Sequence, residues 1–281
     1  MHLVTPNFSD LMKPTVEYKL FPDGDSYIHI PEISKCQGED VILFHRLYPD
    51  QNSSIFVAIL LLDTLKRVGA RITLVSPYLP YSRQDKTFLD GEALSAQILC
   101  RLFANAGASK LVTLDCHFLK GDGEFEYSGL NINNLSANRL LVEYARKKVG
   151  LESLEVISPD EGANYLVSEF GGKSMKKVRG KYEKSSEAYR EIKKIERTFD
   201  VKGKNVLILD DMIATGSTMI KAVDNVRKGG AKKILCAATH GFFLKDSLQK
   251  LRSISDGVFT TNSIPNPVAE VNILDLLKDY K

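Results

Sequence analysis

Short apolar runs alternate along the chain with longer stretches in which apolar positions recur every three or four residues. VILF at 41–44 precedes a helical stretch from about Ser53 to Val68. RITLV at 71–75 precedes one from about Glu92 to Asn105, and KLVTLD at 110–115 one near Ala137–Lys148. The rhythm returns with LEVIS at 154–158, a helix from about Ala163 to Phe170, NVLIL at 205–209, a helix from about Ser217 to Lys228, and KKILCAAT at 232–239. Strands rich in Val, Ile and Leu without polar alternation are covered on both faces, and the intervening helices supply the cover. The pattern predicts an α/β fold of mainly parallel sheets flanked by helices.

The two halves echo each other. LKRVGARITLV (65–75) aligns with NVRKGGAKKIL (225–235), and AGASKLVTLDCH (106–117) with GGAKKILCAATH (229–240). Each match joins a helix end to a strand through a glycine turn. The first pair is preceded in both halves by a strand, a polar loop and a helix start: VILFHRLYPDQNSS and VLILDDMIATGST. This predicts a duplicated domain, 1–135 and 136–267. The helical spacing of apolar residues in AEVNILDLLKDY predicts a C-terminal helix over 268–281 that packs back on the first domain.

Composition narrows the function. At 281 residues and 43% hydrophobic content the chain can bury two cores. The net charge of +3, from 38 basic and 35 acidic side chains, is too small to draw the whole surface to nucleic acid or membrane, so any anion site is local. Cys36, Cys100, Cys116 and Cys236 form no C-x-x-C pair, which argues against zinc and against a disulfide framework. No secretory leader is evident, and the run IFVAILLL at 55–62 is far too short for a membrane span, so a cytoplasmic protein is expected. Lys173–Arg197 holds ten Lys or Arg against four Glu, but with few aromatics to stack on bases it reads as a solvated helix and loop. GGKS at 171–174 is not a P-loop, because Val167 stands where that pattern needs glycine.

The most informative stretch is VLILDDMIATGST at 206–218. A strand leads to Asp210 and Asp211 at its exit, then to small and hydroxyl residues that open a helix. Small residues let backbone N–H groups approach a phosphate, and a helix N-terminus favours the negative charge. Gly216 permits the turn, while Thr215, Ser217 and Thr218 add hydroxyl donors. The carboxylates would face something hydroxylated beside the phosphate, and a sugar diol fits. The alternative is an acidic strand end followed by a capped helix.

This stretch resembles the ribose-phosphate loop shared by type I phosphoribosyltransferases and phosphoribosyl pyrophosphate synthases, also called ribose-phosphate pyrophosphokinases. FPDGDSYIHI (21–30), PYLPYSRQDKTFLDGEALSAQ (77–97), LDCH (114–117) and SPDEGA (158–163) resemble the synthases' adenine loop, ATP signature with its closing loop, metal-site histidine and second metal-site loop. RQDKTFLDGE and HRLYPDQN are most similar to the compact archaeal-type synthases. The resemblance implies two type I phosphoribosyltransferase-like domains.

It also implies transfer of the diphosphoryl group of ATP to the C1 hydroxyl of ribose 5-phosphate. Phe21, Asp23 and Asp25 would lie near adenine in a neighbouring subunit's site, and Arg83, Gln84, Asp85 and His117 would contact ATP. His117 and Asp160 would lie near Mg²⁺, Lys177 and Arg179 would form the catalytic basic pair, and the 85–92 loop would close over the site. Asp210, Asp211, Ala214, Thr215, Gly216, Ser217 and Thr218 would bind ribose 5-phosphate. A homodimer or higher homo-oligomer with shared sites is implied, without nucleic-acid or membrane partners. Two departures stand out: Asp25 replaces a common Glu, and Ala214 a common Asp or Ser. The alternatives are a phosphoribosyltransferase, which leaves 21–30 and 77–97 unexplained, and a non-catalytic paralogue, which would be expected to lack some of these residues.

Overall fold

A computed structural model describes residues 1–150, 153–179, 192–196 and 198–281, with 177–179 and 192–196 as backbone. The chain divides into two compact units, Met1–Ser136 with Leu274–Lys281, and Ala137–Ile273.

The first unit contains β1 (His2–Val4), β2 (Glu17–Leu20), β3 (Ser26–His29), β4 (Asp40–Phe44), α1 (Gln51–Arg67), β5 (Arg71–Val75), α2 (Ser95–Ala106), β6 (Ala108–Leu114), β7 (Gly123–Tyr127) and β8 (Leu130–Leu135). Its main sheet runs β1-β4-β5-β6-β8-β7, parallel throughout except for β7 against β8. Leu43, Ile72, Leu74 and Leu111 are inaccessible to solvent, and α1 covers the sheet with Ala58, Leu61, Leu62 and Leu65. These fall on one face of a helix of 3.6 residues per turn. Gly107 ends α2 at φ +122°, and a Cβ there would stand 2.9 Å from Lys66 Cβ on α1, so the glycine turn allows the two helices to approach. β2 and β3 form a separate antiparallel ribbon.

Buried polar groups tie the N-terminal segment to the end of β4. Arg46, 2% exposed, pairs through both terminal nitrogens with Asp10, donates to the Asn7 carbonyl at 3.0 Å and lies over the Phe8 ring. The Asn7 side chain in turn bridges the Arg46 backbone N–H and C=O at 3.1 and 2.8 Å. Beside it, buried His45 donates from Nε2 to the Ser54 carbonyl at 2.9 Å, with Nδ1 3.0 Å from Thr5 Oγ1.

The second unit contains α3 (Asn138–Val149), β9 (Leu154–Ser158), β10 (Lys173–Ser174), β11 (Lys176–Arg179), β12 (Ile192–Glu196), β13 (Asn205–Ile213), α4 (Ser217–Lys228), β14 (Lys233–Gly241), α5 (Ser247–Ile254), β15 (Gly257–Thr261) and β16 (Ala269–Val271). Its sheet is parallel throughout in the order β10-β9-β13-β14-β15-β16. β11 and β12 form an antiparallel ribbon with an irregularity between Val178 and Arg179. Thus both units have mainly parallel sheets with helical cover.

Four predicted elements differ from those observed. The solvated helix and loop read over Lys173–Arg197 is replaced, in its described residues, by β10, β11 and β12, because β10 adds to the edge of β9 and β11 pairs with β12. The helix over 163–170 is replaced by 3-10 turns at Glu161–Leu166 and Ser168–Phe170, because Gly171 at φ +67° and Gly172 then turn the chain into β10. The helix over 268–281 is replaced by β16 and a 3-10 turn at Lys278–Tyr280. The open edge of β15 captures this segment instead, with Thr260 N–H donating to the Val268 carbonyl at 2.8 Å and Asn262 N–H to that of Val271 at 2.9 Å. The strand over 205–209 continues to Ile213.

Cys36, Cys100, Cys116 and Cys236 are buried, none in a disulfide, and burial pushes the Cys100 and Cys236 thiols up to about 12. Among the described residues no helix is long and apolar enough to cross a membrane.

Burial also lowers the His45 pKa to about 4, against the hydrogen bond to Ser54, which favours the charged ring. A depressed folded-state value means that stability is fully present above the unfolded-state value of about 6.5 and is lost as pH falls toward 4, at up to about 1.4 kcal/mol per pH unit. His45→Gln should therefore flatten the melting temperature's pH dependence between those limits, as followed by calorimetry across the range.

Candidate active site

The strand order of the second unit reverses between β9 and β13. From β9 the chain moves outward to β10, whereas from β13 it moves the other way to β14 and β15. In an open parallel sheet, the crevice beyond the carboxyl ends at such a reversal is where ligands bind. Two of the expected segments begin there, SPDEGA after β9 and ATGST after β13.

Asp210 and Asp211 lie within β13 and not beyond it. β13 remains in register with β14 through Ile213 opposite Gly241, but its pairing with β9 stops at Ile208. Asp210 is half-exposed and its Oδ1 accepts the Asp211 N–H at 3.0 Å, while Asp211 is buried. The chain then bends at Ala214 and Thr215 and enters α4 at Gly216, whose φ is +73°. A Cβ on Gly216 would meet Ser247 Cβ at 3.0 Å. Gly216 supplies no capping side chain, so the first-turn N–H groups of α4 are presented for an anion, with half-exposed Ser217 and Thr218 among them. Thr215 Oγ1 lies 3.4 Å from Ser217 Oγ. The arrangement has the geometry that an anion cradle requires, next to two carboxylates.

Asp160 caps the turn after β9, its Oδ1 accepting the Ala163 N–H at 3.3 Å. A Cβ at residue 162 would sit 2.9 Å from that oxygen, so glycine lets the carboxylate lie over the turn. Ser158 Oγ is 2.9 Å from the Asp160 carbonyl and 2.8 Å from Ser174 Oγ, which donates to Asn164 Oδ1 at 2.6 Å. Met175 N–H donates to the Ser158 carbonyl at 3.1 Å, so β11, carrying Lys177 and Arg179, leaves from beside the Asp160 turn. Glu155 binds Lys173 and Lys204 at 3.4 and 3.1 Å at the base of this region. The side chains of Lys177 and Arg179 lie outside the described part.

The first unit holds the remaining candidates. Phe21, Asp23 and Asp25 occupy the exposed turn between β2 and β3, which is closed by Phe21 N–H to the Asp25 carbonyl at 2.8 Å and Asp25 N–H to Asp23 Oδ1 at 3.2 Å. Arg83 is exposed. Gln84 is fixed at both ends, accepting Ser95 Oγ at 2.7 Å on its side chain and Ala96 N–H at 3.3 Å on its backbone, and Asp85 is half-exposed. Glu92 folds the following turn by accepting the N–H groups of Phe88 and Leu89 at 2.6 and 3.2 Å. His117 is half-buried just beyond β6. Ser76 N–H donates to the Val112 carbonyl and Leu114 N–H to that of Pro77, so the 77–85 segment and His117 leave from adjoining strand ends.

His117 therefore belongs to the first unit and Asp160 to the second. Among the described residues no three His, Cys, Asp or Glu side chains gather as a metal cage. The support given by Ser158, Ser174 and Ser247 escaped sequence reasoning, because serines distant in sequence carry no recognisable spacing.

The chain is 34% identical over 264 residues to the ribose-phosphate pyrophosphokinase of Pyrococcus furiosus, covering 92% of this chain and 89% of that one. The chain belongs to the ribose-phosphate pyrophosphokinase family. The pyrophosphokinase of Thermococcus kodakarensis is 35% identical, with 94% and 91% covered. A family model described as the N-terminal domain of ribose phosphate pyrophosphokinase matches residues 9–107, and one for the phosphoribosyl transferase domain matches 163–273. The crystal structure of phosphoribosylpyrophosphate synthetase from Mycobacterium smegmatis is similar at a TM-score of 0.79 and 26% identity, covering 100% of this chain and 96% of that one. The pyrophosphokinase N-terminal match contains Phe21, Asp23, Asp25 and Arg83–Asp85, and the phosphoribosyl transferase match contains Lys177, Arg179 and Asp210–Thr218.

The left-handed backbone at Gly216 and the contact beneath it make this glycine the most sensitive point of the cradle. Gly216→Ala should weaken ribose 5-phosphate binding by about tenfold, from left-handed strain of 1–2 kcal/mol, with ATP affinity changed less than about twofold. Calorimetry with each substrate separately would show it.

Proposed function

We propose that this protein transfers the diphosphoryl group of ATP to the anomeric hydroxyl of ribose 5-phosphate, giving 5-phosphoribosyl 1-pyrophosphate and AMP. The observation that carries the reading is the anion cradle beside Asp210 and Asp211 at the strand-order reversal, in a chain matched to the pyrophosphokinases over nine-tenths of its length. A phosphoribosyltransferase would use the cradle but would have no need of 21–30 and 77–97.

The reading assigns ribose 5-phosphate to the second unit. The 214–218 backbone and hydroxyls hold the 5-phosphate, and Asp210 and Asp211 accept hydrogen bonds from the ring hydroxyls. Bonds to a charged acceptor of this kind are worth about 1.5–3 kcal/mol each. The reading assigns ATP to Arg83, Gln84, Asp85 and His117, with Arg83 offering a planar fork to phosphate oxygens. The ribose oxygen attacks the β-phosphorus and AMP departs, so charge shifts across the bridging oxygens, where Lys177 and Arg179 stabilise it. The 85–92 turn excludes competing water.

Mg²⁺ takes only one or two protein ligands at nucleotide sites and completes its shell with water and phosphate. A capping carboxylate at Asp160 fits that demand, and the His117 imidazole suits a phosphate oxygen or a metal-bound water. When bound, the ion neutralises triphosphate charge. We further assign a cytoplasmic homo-oligomer in which the exposed Phe21, Asp23 and Asp25 turn serves a neighbouring subunit's adenine.

Incubated with ATP, Mg²⁺ and ribose 5-phosphate, the purified protein should form AMP in step with phosphoribosyl pyrophosphate. None should form when the sugar or the cation is omitted, and AMP release without the sugar would overturn the assignment. Lys177→Ala should lower turnover about 10²–10³-fold, the scale for one lost transition-state donor, with ATP binding retained. Near-normal turnover in that variant, with loss in Lys176→Ala, would transfer the role to Lys176.

A further inference from the structure

We infer that Ser247, the first residue of α5, is a positioning residue for the 5-phosphate loop, setting both the height of Gly216 and the direction of the Thr215 N–H. The inference rests on the assignment of that loop to the sugar phosphate.

The segment joining β14 to α5 is bonded along the front of the loop. Phe242 and Phe243 N–H groups donate to the Ile213 carbonyl at 2.9 and 3.3 Å, and Leu244 N–H donates to the Ala214 carbonyl at 2.9 Å. Ser247 Oγ makes a long contact of 3.4 Å to the same Ala214 carbonyl. Phe243 and Lys245 adopt positive φ, +48° and +59°, in a region that non-glycine residues rarely occupy without a compensating demand. The demand met here is delivery of Ser247, 1% exposed, beneath Gly216.

Two consequences follow from the geometry. A peptide unit is planar and trans, so its C=O and N–H point in opposite directions. The Leu244 N–H, gripping the Ala214 carbonyl from the α5 side with the Ser247 hydroxyl as a weaker second contact, therefore turns the Thr215 N–H the other way, away from α5, toward an anion held at the start of α4. Second, the Gly216 backbone rests on the 247 side chain: a Cβ placed on Gly216 would be 3.0 Å from Ser247 Cβ, with Ile220 and Leu251 at 3.6 and 3.7 Å. Position 247 thus fixes how far the loop can settle toward α5. This accounts for the tolerance of Ala214, whose contribution is its carbonyl and not its side chain.

The full-length protein with Ser247→Ala and, separately, Ser247→Val tests this, with Gly216→Ala as reference. Calorimetry gives ribose 5-phosphate and ATP affinities, steady-state kinetics separate KM from kcat, and melting temperature reports the fold. Loss of the hydroxyl in Ser247→Ala should weaken ribose 5-phosphate about 2–10-fold, the range for one neutral hydrogen bond, and the added bulk of Ser247→Val should weaken it further. ATP affinity and kcat at saturation should change less than about twofold in Ser247→Ala. A merely structural serine would lower the melting temperature without separating the two substrates. Ribose 5-phosphate affinity within twofold of the parent in Ser247→Ala, while Gly216→Ala weakens it, overturns the inference and leaves the loop assignment standing. Unchanged affinity in both overturns the loop assignment itself. Should Ser247→Val not fold, Ser247→Ala decides alone.

Discussion

The second unit depends on the unequal pairing of one strand. β13 is bonded on both sides from Asn205 to Ile208 and on one side only from there to Ile213. The doubly bonded half is buried and supplies rigidity. The half bonded only to β14 is still held straight, yet its β9 side is open where β9 has already turned into the Asp160 loop. Two carboxylates are tolerable in an otherwise apolar strand because they occur after this change, where the crevice gives them access to polar partners. The cradle, the Asp160 cap and the departure of β11 all follow from where β9 stops.

The first unit uses a related device with different contents. Its strand ends are joined by reciprocal backbone bonds, Ser76 to Val112 and Leu114 to Pro77, and the segments bearing Arg83 and His117 leave from that junction. Arg46 supports the neighbouring strand end from below. Its guanidinium spans Asp10 and the Asn7 carbonyl, so residues far apart in sequence are locked to the end of β4. Loss of Asp10 is the costly change, because it leaves the buried Arg46 guanidinium without its charge partner, whereas Asp10 itself is exposed to solvent.

Much of this was legible in the sequence. The apolar runs at 41–44, 71–75 and 205–209 mark buried strands because both faces of a parallel sheet are covered, and the glycine turn at 107 marks the join of a helix end to the next strand. The continuation of β13 through Asp210–Ile213 was not legible, since acidic residues end a strand by local preference and only the β14 ladder overrides it. The 3-10 turns after Asp160 and the strand at 269–271 were missed for the same reason: short apolar spacings suit either period, and tertiary pairing chooses. The candidate residues came from motif order. What holds them came from contacts such as Ser158 with Ser174, which no local pattern announces.

The cysteines have a practical consequence. All four are enclosed, and at Cys100 and Cys236 the reactive thiolate is strongly disfavoured at neutral pH. Alkylation requires the thiolate and access to it. A cysteine introduced at exposed Asp90 in the 85–92 turn would thus be the preferred target of a thiol-directed fluorophore or spin label, without prior removal of the native ones. The turn that closes over nucleotide in the proposed reaction could then be followed by spectroscopy in a background chemically close to the parent chain.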